Sequence, residues 1–394
     1  MRKKFDFVVL GADGIQGRIV SRDLLESGYR VLLCGKAKKE AGRIKHMFGN
    51  YKKVAFAQVD VRDVDHLTKV LKKSRADLVI NCVDDDYNLE VLGACIDAKK
   101  DNIDLGTIIE RTQKQLELDG ELKKRGMISI TGCGSVPGIG NVMVNYAVQK
   151  LDRVETIELG YSWTSNIKKF VVPFSIGTIT EEFMEPAVVL ENGKFKYKKP
   201  LKTIRIASHK TIGKQKEFMV RHPETYTLYH YFKDKGLKNV RFYAGFPLHS
   251  FDRIMAIIEL GMGNLIEIDF NGGAKIKPID FLTEVLKDLE TPEGYKEKEN
   301  IWVRIEGTRG RRKKKILMEC LAPTLEGWES AGCNIDTGFP ASIIAQMIKK
   351  GVIHRRGSFA PEAIVPPRPF FAELGKKGMT VLENGIIINH VKTE

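Results

Sequence analysis

Three glycines at intervals of three, Gly11, Gly14 and Gly17, stand between an apolar run, Phe5–Leu10, and an amphipathic stretch, Ile15–Ser27. Glycine lets a backbone come close to a pyrophosphate, and a helix N-terminus offers N–H donors and partial positive charge. A strand, then this turn, then a helix makes Gly11, Ala12, Asp13, Gly14, Ile15 and Gly17 candidate contacts for a dinucleotide. The spacing is Gly-x-x-Gly-x-x-Gly rather than the tighter Gly-x-Gly-x-x-Gly. The extra residue, Asp13, is read as a cap for the helix that follows.

The second strand decides which dinucleotide. An NAD site places Asp or Glu at its end, to bond the ribose 2′-hydroxyl. Here the strand runs out through Cys34, Gly35 and Lys36, with Lys38 and Lys39 behind, and no carboxylate stands there. Lysine suits a 2′-phosphate by charge, so NADP(H) is favoured and NAD(H) stays open. Asp60, followed by Val61, ends the third strand and is a candidate acceptor for the adenine amino group. Cys82 and Val83 end the fourth strand and line the path toward the nicotinamide. One further spacing has a chemical meaning. Tyr146 and Lys150 fit the Tyr-x-x-x-Lys pair of short-chain dehydrogenases, with Ser135 upstream. Tyr146 would lie two turns into an apolar helix opened by Pro137, and many strand-rich residues follow, so a packed tyrosine is the better reading.

Around these residues the first third alternates strands and helices. Tyr29–Cys34, Val54–Val59, Leu78–Val83, Asn102–Leu105 and Met127–Thr131 read as strands, and Asp63–Lys73, Leu89–Ala98 and Arg111–Arg125 as helices. That order implies a doubly wound parallel sheet, a Rossmann domain, with its ligand at the strand C-ends. Further on, Thr156–Ser162, Arg253–Gly261, Leu265–Asn271, Trp302–Gly307 and Lys315–Ala322 read as strands, Asp336–Lys350 as a helix, and Pro361–Pro369 as an ordered loop.

With 394 residues the chain is long enough for two or three domains. No apolar run approaches the ~20 residues of a membrane helix, and the apolar part of MRKKFDFVVLG is too short for a signal peptide. A soluble cytoplasmic protein is expected. Six scattered cysteines without a C-x-x-C pair fit reduced, buried thiols, and no metal-ligand pattern emerges. The net charge of +14 raises nucleic-acid binding. Its one dense run, Arg309–Lys315, lies between two strands and reads as a solvated hairpin tip, so nucleic acid is not the expected partner.

The glycine turn, Asn102-Ile103-Asp104-Leu105-Gly106, Gly132-Cys133-Gly134-Ser135-Val136-Pro137-Gly138-Ile139-Gly140-Asn141, Arg221–Leu228, and Gly351–Gly357 running to Pro366 together resemble the saccharopine dehydrogenase family. The likeness is greatest to its lysine 6-dehydrogenase-like branch. The resemblance implies a Rossmann domain over residues 1–135 and an α+β substrate and dimerisation domain with a large mixed sheet over 136–330. A C-terminal segment, 331–394, then packs back on the first domain. It also implies a homodimer and NAD(P)-linked hydride transfer at the C–N bond of an amino acid such as lysine or saccharopine, through an imine.

Carried over residue by residue, the resemblance places Asp104, Leu105 and Gly106 in a loop beside the nicotinamide, and Val136 and Pro137 beside the cofactor. Where saccharopine reductases have an aspartate before the proline, this chain has Val136. His222 is the candidate proton carrier, Glu224 the acid that meets an ammonium, and Arg241 the clamp for a substrate carboxylate. Two other readings remain: a carboxynorspermidine dehydrogenase-like polyamine enzyme, and an NADP(H)-binding regulatory protein without turnover. The lysines of the second strand predict that NADPH binds at least ~10-fold tighter than NADH, ~1.4 kcal/mol. A titration followed by nicotinamide fluorescence checks this, and tighter NADH binding would overturn it.

Overall fold

The computed structural model describes residues 5–390 apart from 107, 173–175 and 288; the basic start of the chain, residues 1–4, lies outside them. Six short segments form the parallel strands β1 (Phe7–Leu10), β2 (Val31–Gly35), β3 (Val54–Gln58), β4 (Leu78–Asn81), β5 (Asp101–Asp104) and β6 (Ile128–Ile130), mostly apolar except for β5. A seventh, Gly357–Phe359, comes from near the end of the chain and pairs in parallel with β6. The sheet order is therefore Gly357–Phe359, β6, β5, β4, β1, β2, β3. The order turns back between β1 and β4, so the crevice above their carboxyl ends is where a doubly wound sheet binds its ligand.

The glycine turn sits at that crevice. Gly11 has φ +69°, and a Cβ on it would lie 2.7 Å from the Cys82 carbonyl oxygen. A Cβ on Gly17 would lie 2.1 Å from the Gly11 carbonyl oxygen, so the helix Ile15–Glu26 rests directly on the turn. Gly14 has φ −72° and no such clash, and its bare Cα is left facing the crevice. Asp13 does not cap the helix. Its carboxylate bonds Arg43 Nη2 at 2.9 Å, and Gly14 occupies the N-cap without a side-chain hydrogen bond.

The second sheet is mixed, with ten strands among the described residues. Its centre is Arg153–Ser165, flanked in parallel by Asn239–Pro247 and antiparallel by Glu297–Arg309. Glu297–Arg309 and Arg312–Pro323 make one long hairpin whose tip carries the basic run. Glu383 and its neighbours, Thr380–Glu383, add a strand beyond it. The C-terminal segment thus feeds both sheets. Its helix Ile335–Lys349 lies on Ile15–Glu26, where Gly338 lets Ile19 come close. Buried Asp23 bonds Ser342 Oγ at 2.6 Å, Gln346 Nε2 at 3.3 Å and Lys377 Nζ across that contact.

Several local expectations give way to packing. Arg253–Gly261 lies mostly in a helix, Leu248–Glu259, because its apolar residues Phe251 and Ile254 fall on one buried helical side. Only Ile268–Phe270 of the expected strand 265–271 pairs, in a two-stranded hairpin. The helix expected over 111–125 divides into Ile109–Glu117 and Asp119–Arg125. Proline-rich 361–369 holds a short helix, Pro361–Ile364, and the start of another, Pro367–Lys376. Pro137 does not open its helix: Gly138 is the N-cap and the helix is Ile139–Val148. Tyr146 and Lys150 both reach Glu383, at 3.4 and 2.6 Å, so the short-chain spacing serves a strut between segments. No helix among the described residues is long and apolar enough to cross a membrane.

Replacing Gly17 by Ala forces the helix off the turn. The expected loss is about 1–3 kcal/mol, read from chemical unfolding, with weaker NADPH binding in the folded fraction.

Candidate active site

Two cavities meet at Cys82 over the carboxyl ends of the parallel strands. The first, about 330 Å³, is lined by Gly11, Asp13, Gly14, Lys36, Asp60, Val61 and Val83 among others. Lys36 stands at the end of β2 with no acid at that position, and Arg62 joins it from the end of β3. Arg62 Nε and Nη2 bond both Asp60 oxygens, at 3.0 and 2.6 Å, and hold the Asp60 carboxyl down at about 2. Asp60 is therefore engaged with Arg62, a residue the sequence reading passed over. The cradle fits a dinucleotide: a turn with bare Cα atoms at Gly11 and Gly14, a helix N-terminus, and the cationic Lys36 and Arg62 at the strand ends. Ala12 and Gly35 lie under it rather than at its wall, with Gly35 closing on Ile44. Burial pushes the Cys82 thiol up to about 12, so it is a neutral wall group.

The second cavity, about 480 Å³, lies between the parallel sheet and the inner face of the mixed sheet. Ile15, Cys82, Leu105 and Val136 form its cofactor side. Tyr161 and Trp163, alternate residues of one strand, form part of the opposite wall. Four carboxylates also line it: Glu182, Glu297, Glu299 and Asp336. No lysine or arginine does so among the described residues. Glu182 accepts from Tyr161 Oη at 2.6 Å, and Glu297 from the Cys333 N–H at 2.7 Å. Asp336 accepts from Ser135 Oγ at 3.3 Å and is hydrogen-bonded to Glu299. Burial drives Glu182 and Asp336 up to about 7. It raises Glu297, and with Asp336 beside it Glu299 stands well above the usual carboxylate range.

A third cavity of about 250 Å³ adjoins the second through Thr178, Glu182 and His222. Gly106 and Pro137 line it, with Arg221, Glu181 and Glu185. Arg221 pairs with Glu110 and Glu185 there.

His222 therefore faces both cavities, stacked on Phe242 with ring centroids 3.8 Å apart. Glu224 is fully buried behind it, with Oε2 on His222 Nδ1, rather than at the cavity wall where an ammonium would lie. Asp104 is also buried. It accepts from Gln115 Nε2 at 2.7 Å, Thr131 Oγ1 at 2.9 Å, and the N–H groups of Gly106 and Gly132 at 2.9 and 3.0 Å. Those four donors occupy it, so Asp104 holds the loops that line the cavities and does not reach into them. Arg241 lies on the other face of the mixed sheet, bonded to Glu158 at 3.3 Å. The pleat explains this: Phe242 points to the site and its neighbour points away.

The acids of the second cavity escaped the sequence reading. Glu297 and Glu299 alternate on a strand that continues into Ile301 and Val303, so period two puts two acids on the apolar face. That signal was legible. Asp336 stands at the start of the expected helix 336–350, and nothing in the chain around Glu182 marks it as buried.

Residues 7–130 match the saccharopine dehydrogenase NADP binding domain, and residues 134–379 match the saccharopine dehydrogenase C-terminal domain. The chain is 25% identical over 386 residues to carboxyaminopropylagmatine dehydrogenase of Synechocystis, covering 94% of this chain and 96% of that one. It is 22% identical over 387 residues to carboxynorspermidine synthase of Vibrio alginolyticus, covering 94% and 92%. The fold is similar to apo saccharopine dehydrogenase (L-Glu forming) of Saccharomyces cerevisiae, with a TM-score of 0.75 and 14% identity over 96% of this chain and 99% of that one.

Asp104→Ala removes the shared acceptor of four donors, of which Gln115 Nε2 and the Gly132 N–H are buried with no other partner among the described residues. The expected cost is about 3 kcal/mol or more, seen as a lower unfolding midpoint.

Proposed function

The chain belongs to the saccharopine dehydrogenase family and is an NADP-binding oxidoreductase; from that premise we propose that it makes or breaks the C–N bond of a cationic, polyamine-type amino acid. One observation carries the choice of substrate: the cavity beside the cofactor cradle is walled by four carboxylates and, among the described residues, no lysine or arginine, in a chain of net charge +14. Saccharopine carries several carboxylates and calls for arginines at such a wall. A chain of ammonium groups calls for acids. The names of the relatives, carboxyaminopropylagmatine dehydrogenase and carboxynorspermidine synthase, support the same class. Arg221, in the adjoining cavity, replaces Arg241 as the anchor for the amino-acid carboxylate.

The nicotinamide, when bound, supplies or accepts the hydride. This chain's residues orient and neutralise. Leu105, Val136 and Cys82 give the reacting carbon a dry wall, which fixes its approach. Glu182 and the Glu299–Asp336 pair hold the cationic nitrogen and stabilise positive charge as the iminium develops. His222, facing the cavity with Glu224 behind it, takes the amine proton in one direction and returns it in the other. Residues 1–135 serve the cofactor in this reading, 136–330 the substrate, and 331–394 join the two. A homodimer accompanies it on the family resemblance, and a cytoplasmic location is part of the same proposal.

The test is NADPH formation from NADP+ with carboxynorspermidine, carboxyaminopropylagmatine, saccharopine and lysine. The expected order of kcat/KM puts the first two at least ~10-fold ahead, ~1.4 kcal/mol of transition-state stabilisation. Because burial raises the Glu182 carboxyl to about 7 and raises the Glu299–Asp336 pair as well, KM for the cationic substrates should fall as pH rises through neutrality. Preference for saccharopine would defeat the polyamine reading. Turnover of none, with NADPH still bound, would favour the regulatory one.

A further inference from the structure

The sequence places no acid at the end of β2, yet the folded chain returns one there. Gly35 ends the strand, and the helix Lys38–Phe48 turns back over it. A Cβ on Gly35 would lie 2.9 Å from Ile44 Cδ1, 3.1 Å from Glu40 Cβ and 3.2 Å from the Ala41 nitrogen, so a bare Cα is what lets the helix come this close. The first turn of that helix thus brings Glu40 into the wall of the cofactor cradle, with Lys36 and Arg62. Arg43, one turn on, holds it there: its Nη2 lies 3.7 Å from Glu40 Oε1 and 2.9 Å from Asp13 Oδ2 in the glycine turn. Three other acids line the cradle, and each is engaged. Arg43 bonds Asp13, Arg62 bonds both oxygens of Asp60, and the Asp86 N–H donates to Asp84. Glu40 Oε2 differs. It is buried and receives no hydrogen bond from any described residue.

A buried carboxylate oxygen without a donor is unfavourable, and a ligand that brings the donor gains by it. In a doubly wound sheet the group that an acid meets at the end of the second strand is the 2′-hydroxyl of the adenosine ribose. NAD(H) carries that hydroxyl, whereas NADP(H) carries a phosphate in its place. We propose that Glu40 accepts the ribose 2′-hydroxyl of NAD(H), so that one cradle takes two cofactors: NADPH through Lys36 and Arg62, and NADH through Glu40. The two modes oppose each other. The Glu40 carboxylate stands against a 2′-phosphate, while Lys36 and Arg62 attract that phosphate far more than a neutral hydroxyl. Glu40 is therefore the residue that narrows a preference for NADPH set by two cations. The inference concerns the range of cofactors and goes beyond the choice of amine substrate, on which it does not depend.

The test is equilibrium binding to the full chain, read by nicotinamide fluorescence, with NADPH, NADH and 2′-deoxy-NADH as probes. Glu40→Ala removes the acceptor and keeps a good helix former in the first turn. In this variant NADH affinity should fall at least about 5-fold, the size of one hydrogen bond to a charged group. NADPH affinity should stay the same or rise, which also certifies the fold. The wild type should bind 2′-deoxy-NADH at least about 5-fold more weakly than NADH, and Glu40→Ala should bind the two alike. The deoxy comparison in the wild type needs no variant, so it holds even if Glu40→Ala fails to fold. Three results overturn the inference: a wild type that does not tell NADH from 2′-deoxy-NADH, a wild type that binds NADPH but no NADH, or equal losses of NADH and NADPH in Glu40→Ala. The last would make Glu40 a structural partner of Arg43. The readout needs no turnover, so failure of the amine screen and failure of this inference are separate results.

Discussion

The Asp104 carboxylate is the point on which the site depends. It lies at the end of β5, fully enclosed, and gathers a side chain from the next helix, a hydroxyl from the end of β6 and two backbone N–H groups. Burial raises its affinity for a proton, and the four donors oppose that. An acid there is tolerable only because every donor is aimed at it. In return it fixes two loops at once. One carries Leu105 and Gly106, and the other leads through Gly132 to Val136 and Pro137. Those loops form the cofactor side of the two inner cavities.

A second constraint is electrostatic. The chain is strongly basic overall, yet its main cavity is acidic. Long-range charge and local charge therefore differ in sign. Lys36 and Arg62 stand at the mouth of the cradle and suit a phosphate-rich cofactor. Glu182, Glu297, Glu299 and Asp336 stand where water is scarce, and their raised proton affinities measure the cost of crowding them together. In the proposed reading, a cationic substrate would relieve that crowding.

The C-terminal segment makes these parts one body. It adds one strand to the parallel sheet and two to the mixed sheet, lays a helix on the first helix of the cofactor domain, and supplies Asp336 to the cavity. Domain boundaries drawn along the chain divide what packing joins.

The cofactor domain was legible in the residues because each of its signals is local. A strand, a glycine turn and a helix are adjacent in the chain, and the end of β2 lies a few residues on, so Gly11, Gly14, Lys36 and their neighbours could be named in advance. The lysines in place of an acid are likewise a local fact. Substrate residues obey a different rule. Whether Arg241 or Phe242 faces the site depends on the pleat of a strand whose register is set by Arg153–Ser165. Whether Glu224 meets substrate or stands behind His222 depends on where a helix begins. The cavity acids, scattered from 182 to 336, meet only because the mixed sheet and the returning helix bring them to one wall. Sequence determined the chemistry of the cofactor end through short-range pattern. Tertiary structure decided the chemistry of the substrate end, because long-range pairing alone chooses which buried charges become neighbours.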